Sequence, residues 1–85
     1  MAHFQEDWGI SAPRALEYVD SLKEITKHDD GSYGFGDCEI TITALPDKKI
    51  GSLSFQRIHL DIQGPDAEAE DFHRRFTMRF LSAGG

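Results

Sequence analysis

The sequence predicts a small α+β domain, a two-layer sandwich in the order (β)αββα with both helices on one face of a small antiparallel sheet. Two observations predict it. Two segments repeat apolar residues every three or four positions, which is typical of amphipathic helices. Two segments between them alternate apolar and polar residues, which is typical of half-buried strands. The 85 residues are expected to form one domain, residues 1–85.

The first helix is predicted at about residues 11–26. Ser11 suits the N-cap, because its hydroxyl can accept a hydrogen bond from an early backbone N–H. Pro13 suits the first turn, where its missing N–H costs nothing. The preceding segment AHFQE is compatible with a short edge strand, and the sequence leaves open whether that strand forms. The predicted apolar stripe of the helix consists of Ala15, Tyr18, Val19, Leu22 and Ile25.

Two strands are predicted after a glycine- and aspartate-rich segment, which is a loop or a tight turn and is also compatible with a twisted strand at Tyr33. In CEITITAL, every second residue is expected to face the core: Cys38, Ile40, Ile42 and Ala44. PDKK then predicts a turn. In the next strand, Ile58, Leu60 and Ile62 are predicted to face the core. Two apolar residues before them, at 53 and 55, have the opposite parity and would face the other side of a regular strand. Either a bulge near Gln56 or a later start of the strand explains that change.

The last helix is predicted to begin at Pro65, after Gly64 ends the strand. Acidic residues crowd its first turns and arginines follow, an order that complements the helix dipole. Its apolar stripe is Ala69, Phe72, Phe76 and Phe80. The resulting element order resembles the ferredoxin-like βαββαβ fold without its last strand. A sheet this small has open edges, which favour a homodimer or a partner's strand.

Composition excludes several classes of function. A net charge of -6 and a pI near 5.0 argue against a nucleic-acid partner, because binding nucleic acid requires a basic face. No apolar run approaches the length of a membrane span, and no secretory signal is recognisable at the N-terminus. The single cysteine, Cys38, allows no internal disulfide. We therefore expect a cytoplasmic protein without a membrane partner.

The sequence ends in FLSAGG, with Gly84 and Gly85 as the last residues. This ending resembles the tails of ubiquitin-like sulfur carriers. The resemblance implies that an activating enzyme adenylates the terminal carboxylate, after the side-chain-free tail has passed through a narrow channel. The β-grasp fold of those carriers places a strand before the tail, whereas a helix is predicted here. The other interpretation is that the glycines end the last helix.

Other candidate sites lack a convergent set of groups. His59 and Asp61 lie two apart on the outer face of a strand and could pair for proton transfer or chelate an ion. No third ligand is identifiable, so a solvated cross-strand pair is the simpler interpretation. Cys38 is predicted to be buried, and no histidine is placed to activate it. We therefore predict no catalytic residues, no metal and no cofactor, and expect that the protein is not an enzyme.

A mixed basic and apolar patch is predicted on the last helix. Met78 and Leu81 fall off the main stripe, and arginines surround them. Arginine beside apolar residues is typical of protein interfaces, although single exposed apolar residues are common. The predicted partner-binding residues are Arg74, Arg75, Met78, Arg79 and Leu81. The leading hypothesis is a small acidic module that binds a protein partner or itself in a regulatory or accessory role; the alternative is a carrier with an activated Gly85 carboxylate.

Overall fold

A computed structural model describes residues 1–83 and contains five antiparallel strands and two helices. The elements, in chain order, are β1 (Ala2–Trp8), α1 (Ala12–Asp20), β2 (Ile25–Lys27), β3 (Tyr33–Phe35), β4 (Cys38–Ile50), β5 (Leu53–Gly64) and α2 (Asp66–Ala83). The strand order across the sheet is β1-β5-β4-β3-β2. The predicted class, a small antiparallel sheet with two helices, is confirmed, and the N-terminal strand that the sequence left open is present.

The predicted end of the first helix, near residue 26, is wrong, because α1 ends at Asp20. Ser21 caps it: its backbone N–H donates to the carbonyls of Glu17 and Tyr18, and its hydroxyl donates to Tyr18 O at 2.6 Å. Ile25 continues the helical spacing in sequence but belongs to β2, where it pairs with Phe35. Its half-buried side chain packs on the core from a strand.

The predicted order (β)αββα lacked two strands, β2 and β3, and is corrected to βαββββα. Each of the two strands has only three residues, too few for an alternation to be recognised in sequence. Gly34 in β3 allows a close approach of His28, since a Cβ at this position would lie 3.1 Å from His28 Nε2. The glycines of this segment therefore lie within a strand as well as in the turns beside it.

The turn predicted at PDKK is also wrong. Pro46 and Asp47 belong to β4, and the chain reverses at Gly51, which has φ of 61°, and Ser52. Leu45 pairs with Arg57 and Lys48 with Phe55, so two residues of β4 lie opposite Gln56. The irregularity predicted near Gln56 is confirmed, with the extra residue on β4. A bulge accommodates proline because its residues leave the hydrogen-bonded ladder.

The core contains the inward-facing residues of the sheet, which lie side by side on neighbouring strands. Phe4, Ile62 and Ile40 are neighbours across β1, β5 and β4, and Ile42 is paired with Leu60. Side chains of both helices join the same buried cluster, which contains Ala15, Val19, Ala69, Phe72, Phe76 and Phe80. The alternate strand residues stay outside the core. Within residues 1–83, neither helix is long and apolar enough to cross a membrane.

Candidate protein-binding surfaces

The strands β4 and β5 continue past the core as an exposed hairpin, which we call the ribbon (residues 46–56). Every residue in this range is exposed. The ribbon begins at the bulge, where Arg57 donates a hydrogen bond to the carbonyl of Pro46 at 3.3 Å. Beyond it the two strands pair only with each other. The ribbon is thus supported at its base and accessible along its length.

One face of the ribbon is apolar. Ile50 lies opposite Leu53, and Lys48 lies opposite Phe55. Because residues two apart on a strand point to the same side, these four side chains share a face, which we call the ribbon face. Ile50, Leu53 and Phe55 are 57%, 61% and 46% exposed. Clustered exposed apolar residues on a small domain are typical of interaction sites.

The ribbon face also carries positive charge in an acidic chain. Lys48 lies on that face and Lys49 on the other, and neither forms an ion pair with a carboxylate within residues 1–83. The single acid of the ribbon, Asp47, accepts a hydrogen bond from the hydroxyl of Ser54 at 3.0 Å. The ribbon therefore combines apolar contact area with cations that are available to an acidic partner.

The structure divides the predicted patch on α2 into two groups. Arg74, Met78 and Leu81 lie at intervals of four and three residues, which places them on one side of the helix. Met78 and Leu81 are 63% and 68% exposed. Arg75 and Arg79 lie on the flank nearer to α1: Arg75 reaches Glu24 just beyond α1, and Arg79 lines a groove with residues of α1. The predicted residues therefore lie on two adjoining sides of α2, and their role in binding stays a prediction.

Ion pairs hold two of the α2 arginines. Arg74 Nη2 lies 2.7 Å from Asp71 Oδ1, and Arg75 Nη1 lies 3.0 Å from Glu24 Oε2. The guanidinium of Arg75 also lies 5.5 Å from the ring centroid of Phe35. The hydrogen bond to Glu24 raises the pKa of Arg75, an effect that burial partly offsets and that the nearby Asp71 reinforces. Arg75 thus links α2 to the β2–β3 end of the sheet.

His59 and Asp61 do not converge on one site. His59 Nδ1 lies 2.7 Å from Asp7 Oδ1, whereas Asp61 is paired with His3 at 3.0 Å. Gln5 Nε2 also donates to Asp61 at 3.1 Å. Burial raises the pKa of Asp61, but the hydrogen bonds from His3 and Gln5 outweigh it, and the pKa is lowered overall. These are cross-strand pairs between β1 and β5, and no group of three potential metal ligands forms within residues 1–83.

Cys38 is buried, as predicted, and its Sγ lies 3.8 Å from the carbonyl of Pro65. Burial raises the pKa of the thiol, and the charges of Glu68 and Asp37 raise it further. A buried thiol with a raised pKa is poorly nucleophilic. In the loop after β2, Asp30 accepts hydrogen bonds from the N–H and hydroxyl of Ser32, which is the geometry of a structural turn.

The carrier tail, Gly84 and Gly85, lies outside the described residues, which end with α2 at Ala83. The ribbon face, by contrast, was not identified as a site from the sequence. The available signal is the opposite parity of Leu53 and Phe55, which by itself fits either a bulge or a later start of the strand. The bulge is present, but the same pattern also marks apolar side chains that do not reach the core.

The family model described as "Archaeal MoaD-like protein" matches residues 5–85. No curated protein matches the chain. Since the match covers nearly the whole sequence, the chain belongs to the archaeal MoaD-like family.

Proposed function

We propose that this MoaD-like protein acts without catalysis, by binding a partner protein through the ribbon face. One observation carries the proposal: Ile50, Leu53 and Phe55 are all exposed on a single face of the ribbon. Full burial of an exposed side chain of this kind contributes about 1.5–3 kcal/mol, and these half-exposed side chains would contribute correspondingly less. Because the two strands of the ribbon are already paired, presenting these side chains costs less conformational entropy than ordering a free segment would.

The chemistry of the ribbon indicates the chemistry of the partner. The apolar residues suit an apolar groove, and the unpaired Lys48 suits a carboxylate at its rim. The charge balance of the whole chain is acidic, but this surface is not. We therefore propose a protein partner with an apolar and acidic surface, rather than nucleic acid or a membrane. A MoaD-like family is compatible with a protein that acts together with others.

The proposal also includes how the fold presents its surfaces. In it, both helices form one layer and the sheet forms the other, because residues of both helices join one buried cluster with the inward strand residues. The edge strands β1 and β2 and the ribbon then stay available, either to a partner or to a second copy of this chain. We propose a cytoplasmic setting, on the basis of the single buried thiol.

Site-specific photo-crosslinking tests the proposal. Benzoylphenylalanine is placed at position 53, on the ribbon face, or at position 78, on the outer side of α2, in otherwise identical chains. Both positions are highly exposed, so both variants are expected to fold. In the native host, position 53 should crosslink one partner, or a second copy, far more strongly than position 78. Equal crosslinking at both positions, or crosslinking at position 78 alone, would contradict the assignment.

A second candidate function is a carrier whose Gly85 carboxylate is activated. Two observations favour it: the family match includes Gly84 and Gly85, and its MoaD-like description is compatible with this role. The helix α2 directly precedes the tail, which departs from the strand found there in β-grasp carriers. The intact mass of the chain from its native host is the test. A carrier would show sulfur in place of oxygen at the terminal carboxylate, and deletion of Gly85 would abolish the change; an unmodified mass would contradict the carrier hypothesis.

A further inference from the structure

Two arginines on neighbouring helices form no ion pair within residues 1–83. Arg14 on α1 and Arg79 on α2 have no carboxylate within 4.0 Å in the part of the chain that the structure describes. Arg74 and Arg75, on the same helix as Arg79, are both ion-paired. In a chain with 15 acidic and nine basic residues, unpaired arginines on neighbouring elements require an explanation.

The two arginines approach the same aromatic ring. The guanidinium carbon of Arg14 lies 5.8 Å from the ring centroid of Phe80, and that of Arg79 lies 5.6 Å from it. Phe80 itself is buried and packs against Tyr18 with the ring centroids 5.6 Å apart. The cation–π contacts restrain both guanidinium groups without satisfying their hydrogen-bond donors. The donors therefore remain available to a ligand.

A groove of about 190 Å³ lies between α1 and α2 at this point. Its lining residues are Arg14, Glu17, Tyr18, Ser21, Arg79 and Phe80. The groove thus offers two cations beside the half-buried ring of Tyr18 and the small exposed part of Phe80. None of the ribbon residues 46–56 lines this groove, although Arg14 also borders a neighbouring cavity that is lined by Phe55 of the ribbon.

The charges of the residues that line the groove limit the charge of the ligand. Two arginines and Glu17 together carry a net charge of +1. Burial raises the pKa of Tyr18, although the charges of Arg75 and Arg79 oppose that effect; a neutral phenol adds no charge at pH 7. A single carboxylate balances this site, whereas a phosphate dianion would exceed the positive charge and repel Glu17. The fork of donors on arginine matches the two oxygens of a carboxylate.

We propose that this groove binds a carboxylate attached to an aromatic or apolar group, such as an acidic residue beside an aromatic one in a partner protein. The carboxylate bridges Arg14 and Arg79, and the apolar group lies against Tyr18 and Phe80. The inference goes beyond the proposed function, because it assigns a second binding surface, between the two helices, to residues that the ribbon face does not include. It holds whether or not the ribbon face binds a partner.

Nuclear magnetic resonance titration of the arginine Nε–H signals tests the site. Phenylacetate is the probe, and phenylacetamide, which has the same shape without the charge, is the matched ligand control. We expect phenylacetate to shift the signals of Arg14 and Arg79 saturably at millimolar concentration, with little effect on the ion-paired Arg74. Phenylacetamide should bind at least about tenfold more weakly, since the charged hydrogen bonds supply most of the affinity.

Variants and a second probe complete the test. Arg79→Gln should abolish saturation by phenylacetate, whereas Arg74→Gln should preserve it; both positions are exposed, so both variants should fold. Inorganic phosphate should bind more weakly than phenylacetate. Uniform shifts of all arginines, an unchanged affinity in Arg79→Gln, or stronger binding of phosphate would each overturn the proposal. Crosslinking at position 53 is a separate measurement of the ribbon face. A failure of the groove proposal can therefore be distinguished from a failure of the ribbon-face proposal.

Discussion

The same two strands pass through two different environments. In their core halves, β4 and β5 pair Ile40 with Ile62 and Ile42 with Leu60, and three of these four side chains are fully buried. In the ribbon, the same strands pair Ile50 with Leu53, and both side chains are mostly exposed. The difference shows that strand pairing and burial are separable. Apolar residues in the core halves serve stability, whereas those in the ribbon face contribute less to stability in the isolated chain.

The largest effect expected from this comparison is on stability. Phe72→Ala should destabilise the fold by about 3–5 kcal/mol, since Phe72 is fully buried and its removal leaves a cavity. Phe55→Ala should cost less than about 1 kcal/mol, because the ring is already partly in water. Urea denaturation of both variants measures the two values. Similar losses in the two variants would contradict the division between core and ribbon.

Two glycines with the same backbone angle sharpen the comparison. Gly36 at the core end and Gly51 at the ribbon tip both have φ of 61°. A Cβ on Gly36 would collide with the carboxylate of Glu68, which accepts a hydrogen bond from the N–H of Asp37 at 3.0 Å, whereas a Cβ on Gly51 meets nothing. Gly51→Ala should cost about 1 kcal/mol from backbone strain alone, and Gly36→Ala about 2–3 kcal/mol.

Thermal or urea unfolding of the two glycine variants, measured side by side, separates strain from the collision. A larger loss in Gly51→Ala than in Gly36→Ala would contradict the structure of the turn between β3 and β4.

The smallest effect concerns pH. The pKa of Asp61 is lowered in the folded protein: burial opposes the shift, but hydrogen bonds from His3 and Gln5 exceed it. Asp61 therefore stabilises the fold above its unfolded pKa of about 3.9, and the contribution is lost as the pH falls through the folded value. Asp61→Asn should reduce the free energy of unfolding by less than about 1 kcal/mol at pH 6. The difference between the variant and the wild type should shrink as the pH falls through the lowered pKa of Asp61; a difference that grew in acid would contradict this assignment.

Much of the fold followed from the sequence, for identifiable reasons. Alternation located the core half of β4, and the Gly64–Pro65 pair located the start of α2 one residue before its observed first residue. The short strand β2 was not predicted, and β3 was only an open alternative at Tyr33, because three residues are too few to show an alternating pattern. The turn was misplaced because proline at position 46 suits a turn as well as a bulge, and only the pairing of Leu45 with Arg57 distinguishes the two.

The candidate surfaces were less predictable. The exposure of Met78 and Leu81 agrees with their position off the apolar stripe. Which of the neighbouring arginines lie near α1 depends on how α1 packs against α2. That packing cannot be deduced from the sequence of either helix alone. The groove has the same origin, since Arg14 and Arg79 are brought together at Phe80 only by the packing of two helices.

The central claim is that the ribbon face binds the partner. The most direct measurement is the affinity of the crosslinked partner for three purified chains: the wild type, the double variant Leu53→Ser/Phe55→Ser, and the control Met78→Ser. The account predicts that the double variant, while still folded, binds at least about tenfold more weakly, because interface anchors carry most of the binding energy. The control should bind like the wild type. Equal affinity of the folded double variant and the wild type would contradict the account.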